Sequence, residues 1–204
     1  MLRSPGKTAC RAHGARLITG WHNFCASIAL AALMTCTPAF SMADDQQVTE
    51  YRIKAAFLYN FTRFVNWPAD IAQPDRFTIC ILGADPFGEA IDSLAGKAIN
   101  GKQMDILRLP GSHVPGECRV VYISNSESGH LDSILAPLGA RPVLTVSDSP
   151  AFAEQGGIIR LKLVDMKVRF DINIDAARRA GLNISSKLLS LATIVRDETP
   201  VGAQ

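Results

Sequence analysis

Short apolar runs alternate with helical stretches through most of this chain, and that alternation limits its fold more than any other feature. The predicted strands are residues 77–83, 104–109, 118–124 and 142–147, and the predicted helices are residues 46–65, 85–94, a segment that opens at Ser126, and 150–154. This order predicts an α/β fold in which helices cover both faces of a largely parallel, Rossmann-like sheet, as a three-layer sandwich.

The pattern changes near the carboxyl end of the chain. Two strand-like runs, residues 158–164 and 167–174, are separated only by Asp165 and Met166. A connection of this length predicts an antiparallel hairpin, which we expect at the edge of the sheet. Two further helices are predicted over residues 174–180 and 185–195.

The first 43 residues have the pattern of a secretory signal peptide. The segment combines basic residues, an apolar stretch over residues 24–33 and a small-residue tripeptide at Ser41, Met42 and Ala43; the basic residues are Arg3, Lys7, Arg11 and Arg16. We therefore predict cleavage after Ala43, secretion of the chain, and one domain over residues 44–204 that is not inserted in the membrane.

A membrane anchor and a lipid attachment are the alternatives for this leader. An anchor needs roughly 20 consecutive apolar residues, and this run is shorter. Lipid attachment at Cys36 is disfavoured because Thr35 fits poorly at the position just before a lipidated cysteine.

Charge excludes one class of partner. The chain has 21 Lys and Arg against 19 Asp and Glu, but four of the basic residues and none of the acidic ones lie in the leader. The remaining 17 basic residues against 19 acidic ones make residues 44–204 slightly acidic, so the basic surface that nucleic acid requires is not expected. About 160 residues are enough for one hydrophobic core.

Removal of the leader leaves two cysteines, Cys80 and Cys118, each inside an apolar run. In an oxidising compartment two thiols tend to form a disulfide bond. A buried free cysteine that packs as a small apolar side chain is the alternative.

Ligands of open α/β sheets usually bind beyond the carboxyl ends of the strands. Polar loops follow three predicted strands, and their candidate ligand-binding residues are Gly83, Asp85, Ser124, Ser126, Ser147 and Asp148. One interpretation is a small-molecule cleft built from the three loops. The other, which we favour, is that these residues only cap the helices that follow.

No catalytic or cofactor motif stands out in residues 44–204. The two histidines, His113 and His130, have no metal-ligand spacing, and the glycine-rich nucleotide fingerprints are missing. We therefore predict a protein that is not an enzyme and that has no cofactor, no metal site and no catalytic residues.

Aromatic residues are concentrated in and just after the first predicted helix, and the candidate partner-binding residues among them are Phe57, Phe61, Phe64 and Trp67. One helix buries only one face, so some of these rings are expected at the surface, where a protein partner would use them. A fully buried helix is the alternative.

Several motifs together resemble those of one known family. They are YRIKAAFLYNFTRFVNWP, FTICILGADPFG, LAGKAINGKQMDILRL, CRVVYIS, PVLTVSD, FAEQGGII and VRFDINIDAARRAGLNISSKLLSLA, in this order over residues 51–192. In these segments the chain resembles the YfiR family.

The resemblance implies a periplasmic protein that represses a membrane-bound diguanylate cyclase of the YfiN type by binding its periplasmic sensor region. The expected output is less cyclic di-GMP and less biofilm. It also implies that Cys80 and Cys118 correspond to a cysteine pair of relatives, whereas a second pair of relatives is missing here. Whether the chain forms a homodimer is a question that the sequence leaves open.

Overall fold

The computed structural model of the protein describes residues 42–68, 75–111 and 113–197, with side chains from residue 45 onward. The predicted leader lies outside these residues, except for its last two positions at the start of the first helix. Within the described ranges, no helix is both long and apolar enough to span a bilayer.

Helices and strands alternate along the described chain. The helices are α1 (Met42–Phe64), α2 (Glu89–Asp92), α3 (Leu131–Leu138), α4 (Ile174–Arg179) and α5 (Ser186–Leu189), with a 3-10 helix (Asn125–His130) directly before α3. The strands are β1 (Val65–Asn66), β2 (Arg76–Leu82), β3 (Ala98–Ile99), β4 (Lys102–Leu109), β5 (Cys118–Ile123), β6 (Leu144–Ser147), β7 (Ile159–Val164), β8 (Lys167–Asn173), β9 (Asn183–Ile184) and β10 (Thr193–Val195).

The main sheet has the strand order β10-β8-β7-β6-β5-β2-β4-β3. In this described sheet five of the seven neighbouring pairs are parallel, and β7–β8 and β3–β4 are antiparallel. A second, small antiparallel pair joins β1 to β9. The predicted α/β class, the largely parallel sheet and the antiparallel hairpin are therefore confirmed.

The two faces of the sheet pack against different helices because side chains alternate along each strand. Ile79 and Ile81 of β2 point into one hydrophobic cluster, to which α1 contributes Ala55, Leu58 and Phe61. Cys80 and Leu82 point into a second cluster, which contains Leu131, Ile134, Leu135 and Leu138 of α3. Helices thus cover both faces of the sheet.

A disulfide bond joins the neighbouring strands β2 and β5 through Cys80 and Cys118. Their Cα atoms are 5.8 Å apart, within the range that a disulfide requires. Both residues are fully buried in the second cluster. Of the two interpretations of these cysteines, the structure therefore supports the bridge.

Three helix predictions differ from the structure. Residues 85–94 form only the short α2, because Gly88 has a φ of 52° and Asp85 caps a turn instead of a helix. Residues 150–154 form turns, since Ala151 has a φ of 57°, outside the helical region. Residues 185–195 form α5 and then β10, rather than one helix.

The last difference changes the edge of the sheet. β10 pairs in parallel with β8, with Ile194 opposite Ile172. The β7–β8 hairpin is therefore inside the sheet next to its edge, and the prediction of an edge hairpin is wrong. A three-residue strand carries little periodicity, so its pairing with β8 decided its conformation.

Candidate functional site

The aromatic residues of α1 lie mostly in the core. Phe61 is fully buried, and its ring centroid lies 5.8 Å from that of Phe57 and 5.3 Å from that of Phe170. The structure corrects the prediction that Phe61 contacts a partner, because the ring lies inside the first cluster. Burial of a large aromatic side chain is among the strongest contributions to folding, so the helix turns this face inward.

The other three aromatic candidates are half-buried. Phe57, Phe64 and Trp67 pack against the same cluster as Phe61. The Trp67 ring is edge-on to Phe77 at a centroid distance of 5.3 Å. Only part of each ring reaches the surface.

The loops after β2 and β5 close against each other. The Ala84 N–H donates a hydrogen bond of 3.0 Å to Ser126 Oγ, and a Cβ placed on Gly83 would lie 2.5 Å from the same oxygen. Gly83 also has a φ of 85°, which glycine adopts most easily. Gly83 and Ser126 therefore make a tight loop contact that leaves no room for a ligand between them.

Three more of the predicted ligand-binding residues at this end of the sheet form hydrogen bonds within the chain. Asp85 accepts hydrogen bonds from the Phe87 N–H and from Arg108 Nε, both at 2.7 Å. Ser124 caps the 3-10 helix. Ser147 is fully buried and donates to the Ile123 carbonyl at 2.6 Å. The structure brings these residues to the same end of the sheet, but in turn and capping positions.

Asp148 differs from the other candidates because it lines a cleft of about 430 Å³ between α1, β7 and the loops after β5 and β6. Its side chain is only 9 % exposed. Lys54 of α1 donates a hydrogen bond of 2.5 Å to Asp148 Oδ2, and the Tyr51 hydroxyl donates to the same oxygen at 2.9 Å. Lys54 also forms an ion pair with Glu50 one helical turn earlier, at 2.6 Å.

The other carboxylate oxygen, Asp148 Oδ1, is buried and has no hydrogen-bond partner within the described part of the chain, and the same is true there of the Tyr122 hydroxyl. Burial alone would raise the pKa of Asp148, but the hydrogen bond and charge of Lys54, with the tyrosine hydroxyls, outweigh it and lower the pKa. Burial and then the Asp148 charge raise the pKa of Tyr122 and of Tyr51 above their usual range. Asp148 is therefore a fixed anion with one acceptor oxygen left over.

The opposite wall of the cleft carries positive charge. Arg160 Nε lies 3.0 Å from Asp171 Oδ2, and Lys162 Nζ lies 2.6 Å from Asp171 Oδ1. Asp171 is buried, whereas the two cations are partly exposed and line the cleft. The cleft thus has the ion pairs of Lys54 with Glu50 and Asp148 on the side of α1, and the cations Arg160 and Lys162 on the side of β7.

This arrangement suits binding better than proton transfer. A general base works best when its pKa is near the ambient pH, and the pKa of Asp148 is shifted in the opposite direction. Among the residues described here, no three His, Cys, Asp or Glu side chains come together in a way that would hold a metal ion. The geometry therefore offers hydrogen bonding and charge pairing to a polar ligand.

Lys54 is the main residue of this site that we did not predict from the sequence. It is 3 % exposed and lies on the buried stripe of α1 beside Ala55. A lysine is rarely buried unless it is paired. A charged residue on the apolar face of a predicted helix was therefore a signal that a carboxylate would be found opposite it.

A family model described as DUF4154, YfiR/HmsC-like, matches residues 51–193 of the chain. The match runs from α1 to the first residue of β10. It includes the disulfide and both residues of the Lys54–Asp148 pair.

Proposed function

Because the chain belongs to the YfiR/HmsC-like family, we propose that it is a periplasmic regulator of a diguanylate cyclase. In the proposed mechanism it represses a membrane-bound cyclase of the YfiN type by binding the periplasmic sensor region of that enzyme. The result is less cyclic di-GMP and less biofilm. The protein acts by binding and not by catalysis.

The family match carries this proposal, since it extends over almost all of the described chain. Two further features support it. A buried disulfide between neighbouring strands suits an oxidising compartment. The leader pattern over residues 1–43 predicts export to that compartment.

Repression follows from a difference in affinity between two states of the cyclase. A protein that binds the inactive sensor conformation more tightly than the active one shifts the population toward the inactive state. A shift from 1:99 to 99:1 requires roughly a 10⁴-fold preference, about 5.5 kcal/mol. A sheet with a core on each face and a cross-link between β2 and β5 loses little conformational entropy when it binds.

Cyclic di-GMP levels test the proposal directly. The nucleotide is measured in a strain that lacks this chain and in the same strain complemented with the gene and its leader. We expect a rise on deletion and a return on complementation. An unchanged level, with the protein shown to be made and exported, would reject repression of a cyclase.

A periplasmic small-molecule binder is the second candidate, because Asp148 lines an open cleft and its buried Oδ1 has no hydrogen-bond partner among the residues that the structure describes. A ligand donor that reaches this oxygen would stabilise the folded protein by mass action. The test is a thermal-shift screen with a metabolite panel on the wild type and on Asp148→Asn. Asp85→Asn, at a carboxylate outside the cleft, is the matched control.

For this second candidate we expect a stabilising compound whose effect is lost in Asp148→Asn and kept in Asp85→Asn. If no compound in a broad panel stabilises the wild type, the small-molecule hypothesis is rejected. Equal stabilisation of both variants would place the ligand elsewhere.

A further inference from the structure

The tip of the β7–β8 hairpin extends beyond its neighbour on one side. β6 pairs with β7 only at Ile159 and Arg160, whereas β8 follows β7 to its end at Val164. Four residues of β7, 161–164, therefore continue past β6, a length of about 13 Å at the rise of an extended strand. Their last members are exposed, with Leu163 at 40 % and Val164 at 41 %.

The turn at this tip has an unusual composition. Asp165 and Met166 have φ values of 49° and 60°, which fits the two-residue turn that glycine and asparagine normally form. Met166 is an apolar residue in a disfavoured backbone conformation, and it is 68 % exposed. Gln46 of α1 donates a hydrogen bond of 3.3 Å to its sulfur. An exposed apolar side chain at a strained position points to a role outside the folding of the isolated chain.

One face of the hairpin carries surplus positive charge. Lys162 lies directly opposite Arg169, and Val164 lies directly opposite Lys167. Like charges at opposed positions destabilise a strand pair. Lys162 pairs with the buried Asp171, but within the described residues neither Lys167 nor Arg169 forms an ion pair. This face therefore complements a surface with carboxylates.

We propose that the hairpin tip, defined as Val164 and Met166 with the flanking Lys167 and Arg169, docks the periplasmic region of the repressed cyclase. This inference rests on the proposed function and names the surface that performs it. The partner presents an apolar patch bordered by carboxylates, as expected of an interface with an apolar centre and a polar rim.

The charge pattern favours the cyclase over two other occupants of the tip, an anionic lipid surface and a second copy of this chain. Asp165 is in the turn itself, so an anionic lipid surface that approached the end of the hairpin would meet a carboxylate before it met Lys167 or Arg169. A two-fold contact between identical tips would bring Lys167 and Arg169 close to their symmetry mates. An acidic partner surface meets neither obstacle.

The test compares two altered forms of the tip with one control. The apolar variant is Val164→Ser combined with Met166→Ser, and the charge variant is Lys167→Glu combined with Arg169→Glu. The control is Ile194→Ser on β10, because Ile194 is 42 % exposed and lies opposite Ile172, away from the tip. Unfolding midpoints in urea first establish that all three proteins fold like the wild type.

Binding to the purified periplasmic region of the cyclase is then measured for each protein. We expect the apolar variant to weaken binding at least tenfold, and the control to bind like the wild type. The charge variant should bind more slowly and lose most of the salt dependence of its association rate. Cyclic di-GMP should rise in cells that carry either tip variant.

The possible negative results distinguish failure of the docking surface from failure of the proposed function. If the wild type binds and both tip variants bind equally well, the docking surface is wrong and the proposed function stands. If the wild type does not bind, the proposed function fails and this inference fails with it. Two results would overturn the choice of the cyclase as the occupant, provided that binding to the cyclase is unchanged. In the first, the wild type sediments with phosphatidylglycerol vesicles and the tip variants do not. In the second, the wild type forms a dimer and the tip variants do not.

Discussion

Removal of the Lys54 charge tests the central interaction of the site. In Lys54→Met the Asp148 carboxylate keeps its burial and its hydrogen bond from Tyr51, but it loses the cation that lies 2.5 Å away. Removing one partner of a buried ion pair typically costs about 3–5 kcal/mol, because the remaining charge is left uncompensated. We therefore expect the free energy of unfolding of Lys54→Met to fall by about that amount at pH 7.

A double-mutant cycle with Asp148→Asn isolates the pair. The neutral amide no longer needs a cation, so the double variant should be more stable than the sum of the two single effects predicts. For residues in direct contact we expect a coupling energy of about 1–3 kcal/mol. Lys187→Met, at an exposed lysine, is the control and should change stability by less than about 0.5 kcal/mol.

The stability that Lys54→Met loses depends on pH in a direction that the structure defines. Asp148 has a folded-state pKa below its ordinary value of 3.8, so its contribution to stability is present above that value and is lost as pH falls through the folded-state pKa. In Lys54→Met the carboxylate is buried without its cation, so protonation stabilises the variant. Burial without the cation raises the folded-state pKa of Asp148 in the variant above its ordinary value, so the loss of stability in Lys54→Met should be largest near neutral pH and should shrink as pH falls through that raised pKa.

Urea unfolding followed by circular dichroism, repeated from pH 7 to pH 3, measures both quantities. A penalty below about 1 kcal/mol that does not change with pH would refute the reasoning, since a buried uncompensated carboxylate must show both effects. Absence of coupling with Asp148→Asn would show that Glu50 alone holds the Lys54 charge.

Three further predictions use the same denaturation assay. Replacement of Cys80 and Cys118 by alanine should lower the free energy of unfolding by about 4 kcal/mol, the loop-entropy value for residues 38 positions apart; a loss under about 1 kcal/mol would contradict it. Phe61→Ala should cost about 3–5 kcal/mol because the ring is fully buried, and Ile53→Ala, at an exposed position of the same helix, should cost little; equal costs would disprove the burial argument. Met166→Gly should stabilise the protein by about 0.5–1 kcal/mol, because glycine removes the strain of a φ of 60°, and a lower urea midpoint would argue against strain at this turn.

Much of the fold follows from local patterns. β5 and β6 are buried along their whole length, so their residues form continuous apolar runs that a reader of the sequence recognises. The β7–β8 hairpin is equally local, because its two strands are joined by two residues. Conversely, β1, β3, β9 and β10 have two or three residues each, too few for any period to show.

The candidate site was predicted only in part. Asp148 was identified from its place after a strand, but its partners Lys54 and Tyr51 are 94 and 97 residues away in the chain. The same rule also selected Ser147, which the structure buries completely. Successive residues of a strand point to opposite sides, so a position after a strand does not tell which side chain faces the cleft.

By itself the sequence determined the class of the fold, the pairing-competent cysteines, the apolar strands and the family, because each depends on residues close together or on composition. The tertiary structure decided which aromatic rings of α1 are buried, which carboxylate meets Lys54, and that the hairpin tip stays exposed. Those outcomes depend on which segments become neighbours in the sheet, and the free energy of burial and charge pairing acts only once they have met.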